Sequence, residues 1–192
     1  MLTYYAVSGV ARASHFEENV FMVYPAISEE ATRTELANRM FFRLYKRANM
    51  LHKTGTKSVE SEGLTTQQWA VLGALSRPAV GGGMSVGDLA RYLKVSRQNL
   101  SGLLSRMERD GRITTAADER DRRSRLVSMT AAGTRVWQHE ALPKIHGYYE
   151  QVLEGFSVND ITHTLHYLLK LLDNMQLVDD RQGGSDEAAE DR

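Results

Sequence analysis

The chain has 192 residues, with 24 Lys+Arg against 24 Asp+Glu for a formal charge of zero, 42% apolar and 25% charged residues, and no cysteine. This is the composition of one globular domain or two very small ones; it excludes a disulfide framework, a Cys-ligated zinc site and a thiol nucleophile, and makes a reducing cytoplasm the natural setting. No run approaches the roughly 20 apolar residues of a membrane span, so no membrane partner is expected, and three prolines favour a mainly helical chain.

Residues 1–30 read as an N-terminal arm. Met1 to Val10 are apolar, but no basic stretch precedes them and Arg12 is the first charge, which argues against a secretory signal. Leu36, Met40, Phe41, Leu44, Ala48 and Leu51 then fall three and four apart and predict a helix.

One start signal recurs three times after it. Leu64-Thr65 is followed by Gln68-Trp69, Met84-Ser85 by Asp88-Leu89, and Val95-Ser96 by Asn99-Leu100. In each, a hydroxyl can accept from the orphan amide three residues on, while the flanking apolar pair staples the entering chain to the first turn. Only Gln68 is long enough to complete a full capping box. The first helix is predicted from about Thr66 to Ser76, ended by Pro78 and the Gly81 to Gly83 connector, which leads into Met84 as a short strand. The second runs from Val86 to Leu93, and only Lys94-Val95 separates it from a third, Arg97 to Asp110, with Gly111 as its stop. Two short helices on so tight a turn must cross steeply, as in a helix-turn-helix.

The third helix divides cleanly. Leu100, Leu103, Leu104 and Met107 form the buried stripe. At about 100° per residue, Gln98, Gly102, Ser105 and Arg109 fall opposite them, with Ser101 and Arg106 on the flanks and Ser96 and Arg97 at the start. This face is small, polar and basic. It fits a major groove about 12 Å wide, where Gln and Arg can read base edges; an ordinary solvated helix face would more typically carry Glu and Lys pairs. Next come two β-prone runs, Arg112 to Thr115 and Leu126 to Met129, predicted to form a hairpin. At its tip, Asp118 and Asp121 can brace arginines while Arg120, Arg122 and Arg123 can reach a narrow minor groove.

Charge distribution supports this reading. Ser85 to Arg135 carries eleven bases and six acids, a net +5 that leaves −5 on the rest of the chain, so a footprint for a polyanion is confined to the middle. Beyond it, Trp137, Leu142, Ile145, Tyr149 and Leu153 predict another helix. Ile161, Leu165, Leu168, Leu172 and Met175 repeat at 4, 3, 4, 3 spacing, which is too short for a free coiled coil and needs partners in a bundle. Residues 179–192 hold six acids against two arginines and read as a disordered acidic tail.

Together these residues resemble the MarR family of bacterial transcriptional regulators. Asp118, Arg120, Asp121 and Arg123 match its wing motif D-x-R-D-x-R, Thr130-Ala131-Ala132-Gly133 the T-x-x-G that follows, and Leu64-Thr65 with Gln68-Trp69 the L-T-x-x-Q-[FW] that opens its second helix. The resemblance implies a winged helix-turn-helix over residues 31–178, with a DNA-binding core at 64–130 and flanking dimerisation helices. It further implies a homodimer that binds double-stranded DNA at a palindromic operator, usually represses, and is released by a small aromatic or phenolic ligand. In the family's pocket, between the dimerisation helices and the winged helix, Tyr45, Arg47, Trp69 and His146 would line the site. Trp69 offers a stacking face and Arg47 a partner for a carboxylate.

Two other readings remain in the same fold. His139 with His146, or His163 with His166, would share helix faces in a metal-responsive regulator, although no carboxylate pattern completes a site. A nonspecific architectural DNA binder would not need Gln98, Ser101 and Ser105 on the exposed face. No enzyme is expected, since neither H-E-x-x-H nor a Walker lysine is present, and no cofactor or metal is assigned.

Overall fold

The computed structural model describes residues 29–80, 82–117 and 125–190. By internal packing the chain divides into two units, residues 1–46 and 47–192. Most of the expected N-terminal arm lies outside the described residues. In the first unit the described part is the opening of α1 (Glu29–Val59), with Leu36, Met40, Phe41 and Phe42 exposed.

The second unit holds the rest of α1, then α2 (Thr66–Leu75), β1 (Met84–Ser85), α3 (Val86–Leu93), α4 (Arg97–Arg109), β2 (Ile113–Ala117), β3 (Arg125–Met129), α5 (Ala131–Arg135), α6 (Leu142–Val152) and α7 (Val158–Glu190). The three strands form one antiparallel sheet in the order β1-β3-β2, with Met84 opposite Val127 and Ile113 opposite Met129. Leu64, Leu72, Leu89, Leu100, Met107, Ile113, Val127 and Ile145 are fully buried in its core. Each contributes about 1.5–3 kcal/mol relative to exposure, which fixes α3 and α4 against α2 and the sheet.

Local chemistry sets the three helix starts. Thr65 Oγ1 accepts from the Gln68 amide at 3.3 Å while Gln68 Oε1 accepts from the Thr65 amide at 2.8 Å, a complete capping box. Ser85 and Ser96 cap α3 and α4 by accepting from Asp88 and Asn99 amides at 3.0 and 3.2 Å, without the return bond. The α3–α4 turn contains Lys94 at φ 55°, the only non-glycine at positive φ among the described residues. Its Nζ donates to Gln176 Oε1 of α7.

Gly83-Met84-Ser85-Val86-Gly87 spells the G-x-S-x-G of serine hydrolases, but the structure gives this serine a different task. Ser85 has unstrained backbone angles of −62° and 150°, and its hydroxyl donates to Asp88 Oδ2 at 2.7 Å while accepting from the Asp88 amide. It is a helix cap, unlike a nucleophile held on a strained elbow.

Thr130 and Gly133 show what the T-x-x-G stretch does. Thr130 Oγ1 donates to the Gly111 carbonyl at 2.7 Å and accepts from the Gly133 amide at 2.9 Å, so one hydroxyl ties the exit of α4 to the start of α5. A Cβ on Gly133 would lie 1.8 Å from the Arg112 carbonyl oxygen, so only glycine fits there. Gly111 itself, at φ 68°, is the left-handed residue that stops α4.

Two features differ from the sequence expectation. The helix predicted around Trp137 is interrupted by a π-helical stretch, Val136–Ala141, which widens the backbone where the buried Trp137 ring packs beside Gly73. In addition, α7 continues to Glu190, through residues assigned to a disordered tail. No proline interrupts it, and the Gln176 side-chain amide donates to Asp180 Oδ1 one turn on at 2.9 Å. Among the described residues no helix is long and apolar enough to cross a membrane.

Candidate nucleic-acid interface

The stripe of α4 falls as its periodicity predicts: Leu100, Leu103, Leu104 and Met107 are buried, while Ser96, Arg97, Gln98, Ser101, Gly102, Ser105, Arg106 and Arg109 are all exposed. The hydroxyls are committed inward. Ser101 Oγ donates to the Arg97 carbonyl at 2.8 Å and Ser105 Oγ to the Ser101 carbonyl at 3.0 Å. Their outward lone pairs therefore present acceptors, complementary to the amino groups of cytosine and adenine in a major groove. A Cβ on Gly102 would meet nothing within 4 Å, so the centre of the face is open. Arg109 lies only 4.0 Å from Asp110, with its side chain 74% exposed, too solvated to restrain the guanidinium strongly.

The wing grows directly from the end of this helix. Glu108 accepts from both the amide and the hydroxyl of Thr115, at 2.8 and 2.6 Å, and Arg125 Nη2 donates to that same Thr115 oxygen. The Thr115 hydroxyl and amide, with Arg125 adding a smaller electrostatic pull, hold the Glu108 carboxyl below its ordinary value of 4.5. Sequence reasoning placed the bracing carboxylates at Asp118 and Asp121, which lie outside the described residues together with Arg120, Arg122 and Arg123. Glu108 was missed. Its signal was faint: it is the single acid among the thirteen residues of α4.

The residues proposed for an effector do not form one described group. Tyr45 is exposed in the first unit, and Arg47 is exposed on the part of α1 that belongs to the second. Trp69 and His146 do share a neighbourhood. Their rings lie 5.7 and 6.3 Å from Tyr149, and Tyr148 stands edge-on to Trp69 at 6.1 Å with its hydroxyl hydrogen-bonded to Thr54 Oγ1 at 2.8 Å. Burial is the main reason the Tyr149 phenol titrates above its ordinary value; a hydrogen bond with Trp69 opposes it. Tyr148 and Thr54 were not anticipated, because their pairing joins residues far apart in the chain. Among the described residues no three metal-ligating side chains gather into a site.

A three-stranded sheet whose hairpin follows an exposed, basic second helix of a helix-turn-helix defines a winged-helix DNA-binding protein. Comparison with known proteins makes the class specific. The family model described as "MarR family" matches residues 62–124. The transcriptional activatory protein BadR of Rhodopseudomonas palustris is 68% identical over 158 residues, covering 82% of this chain and 90% of that protein. The homoprotocatechuate degradative operon repressor of Escherichia coli is 31% identical over 121 residues, 62% of this chain and 79% of that one. In fold, the M. tuberculosis transcriptional regulator MOSR, solved in complex with DNA, aligns with a TM-score of 0.59 at 22% identity, covering 70% of this chain and 96% of that chain. The chain belongs to the MarR family of DNA-binding transcriptional regulators; it is not an enzyme.

Proposed function

We propose that the chain regulates transcription as a homodimer on a palindromic operator, with α4 reading bases in the major groove and the arginine-rich wing tip reaching the adjacent minor groove. The observation that carries this reading is the exposed face of α4, where Gln98, Ser101, Ser105, Arg106 and Arg109 surround an open Gly102 above a fully buried stripe. Dimerisation is supported by α7, on which Leu165, Leu168 and Leu172 are 55%, 47% and 42% exposed within one chain, more apolar surface in one row than a monomer normally leaves in water. Competition binding tests sequence specificity: operator fragments selected from genomic DNA should outcompete random duplex by at least about a thousandfold. A ratio near one would favour an architectural role.

The sign of regulation follows the more similar relative. The family resemblance implies a repressor, and the Escherichia coli relative is named as one, but the protein that is 68% identical is named an activator. We therefore propose activation at the target promoter; a promoter reporter with and without the chain decides between the two signs. As effector we propose a small aromatic acid or its thioester. The Trp69, Tyr148, Tyr149 and His146 rings offer stacking faces, and the repressor relative is named for an operon that degrades an aromatic compound.

A further inference from the structure

Gly87 is the second residue of α3, a position where glycine is less favourable than alanine and where the backbone has an ordinary helical conformation. What it faces accounts for it. A Cβ there would lie 3.3 Å from Nη2, 3.7 Å from Cζ and 3.8 Å from Nε of Arg97. Three atoms of one guanidinium at nearly equal distances mean that the group lies flat across the start of α3. Arg97 is the first residue of α4, so its side chain spans the helix-turn-helix from one helix N-terminus to the other.

That location is electrostatically unfavourable for a cation in the free protein, because both helix starts carry the positive end of the backbone dipole. None of the ion pairs among the described residues involves Arg97. An anion arriving from outside would be met by the Arg97 charge and by two sets of helix-start dipoles together. The anion this family approaches with its helix-turn-helix is the DNA phosphate backbone.

We propose that Gly87 is a positioning residue: its missing side chain seats the Arg97 guanidinium so that it grips a backbone phosphate beside the groove that α4 enters. The inference rests on the proposed docking of α4. It makes Arg97 a sequence-independent contact, unlike Gln98 next to it. Alanine at position 87 would displace only the end of a flexible side chain by a few tenths of an ångström, so the fold should tolerate it.

Full-length Gly87→Ala, Arg97→Ala and the double variant would be titrated with a labelled duplex of random sequence across a salt series, and their melting compared. Gly87→Ala should melt at or above the parent temperature, bind roughly fivefold more weakly, and show a shallower salt slope in the same sense as Arg97→Ala, which should lose about one unit per subunit. In the Arg97→Ala background it should add nothing. If Gly87→Ala binds as the parent does while Arg97→Ala is weakened, or if the two losses add in full, the seat is overturned and the phosphate contact stands. An additive loss would also expose any general damage to the fold. If Arg97→Ala itself binds with parental affinity and slope, the docking of α4 on which the seat depends is wrong, and both fall together.

Discussion

Gln98 and Gly102 carry the sharpest single-residue tests, because their substitutions should separate reading from folding. Gln98→Ala removes a side chain able to bond two atoms of one base edge, so it should cost ~1–3 kcal/mol on the operator and little on random duplex, narrowing the ratio between them. Gly102→Ala should act in opposite directions on two measurements. With nothing within 4 Å of the new methyl group, the helix should gain about 0.5–1 kcal/mol, seen as a raised melting temperature. Operator affinity should fall, because in the proposed docking the same methyl stands where the groove comes nearest. The exposure of these residues was legible in the sequence: α4 repeats its apolar positions at the helical period, and the opposite face follows by geometry. Glu108 was not legible, since its function depends on a strand residue seven positions later rather than on any helical repeat. The tyrosines around Trp69 were hidden for a related reason; Tyr149 fits an apolar stripe equally well whether it fills a core or stands against an indole.

The recognition helix and the wing are mechanically joined through Glu108, Thr115 and Arg125, and the bond has a pH signature. A carboxylate whose folded pKa is depressed stabilises fully above its unfolded value and loses that contribution as pH falls through the folded one. The wing should thus loosen as the solution is acidified below the ordinary carboxylate value of 4.5, seen as a falling protection factor at the Thr115 amide once the intrinsic slowing of exchange in acid is divided out; Glu108→Ala, which leaves no acceptor, should show low protection already at neutral pH. Equal exchange in the parent and the variant would remove the brace. Gly133→Ala should be far more damaging, by about 3 kcal/mol or more in chemical denaturation, since its methyl would overlap the Arg112 carbonyl. Helix starts were readable because a cap is made within four residues of chain: Thr65, Ser85 and Ser96 each do what their spacing implies. The π-helical stretch at Val136–Ala141 was not, because it serves the fit of Trp137 against a different helix. Nor was the reach of α7, where acidic composition pointed to a coil and the backbone is helical.

For the assembled protein, the proposed homodimer rests on the apolar row of α7. Replacing Leu168 and Leu172 by Asp should abolish both the dimer, measured by light scattering, and operator binding; a variant that stays dimeric would show that the row does not join subunits, and a well-folded monomer that binds the full operator as the parent does would show that binding needs no dimer. A palindrome read by two copies of α4 should feel each contact twice, so losses on a full operator should be close to double those on a half-site. Aromatic acids should quench Trp69 or Trp137 fluorescence and raise the melting temperature; the absence of both would remove the aromatic cluster from any role in sensing. One consequence of the open position at Gly102 is genetic. A subunit carrying alanine there would keep α7 intact, so under the proposed dimer and docking it should pair with unaltered subunits in a cell expressing both forms and leave each mixed dimer with one competent reading helix. With activation as proposed, the altered allele should behave as dominant, silencing the target promoter more deeply than deletion of one gene copy, and its strength should rise with its dosage.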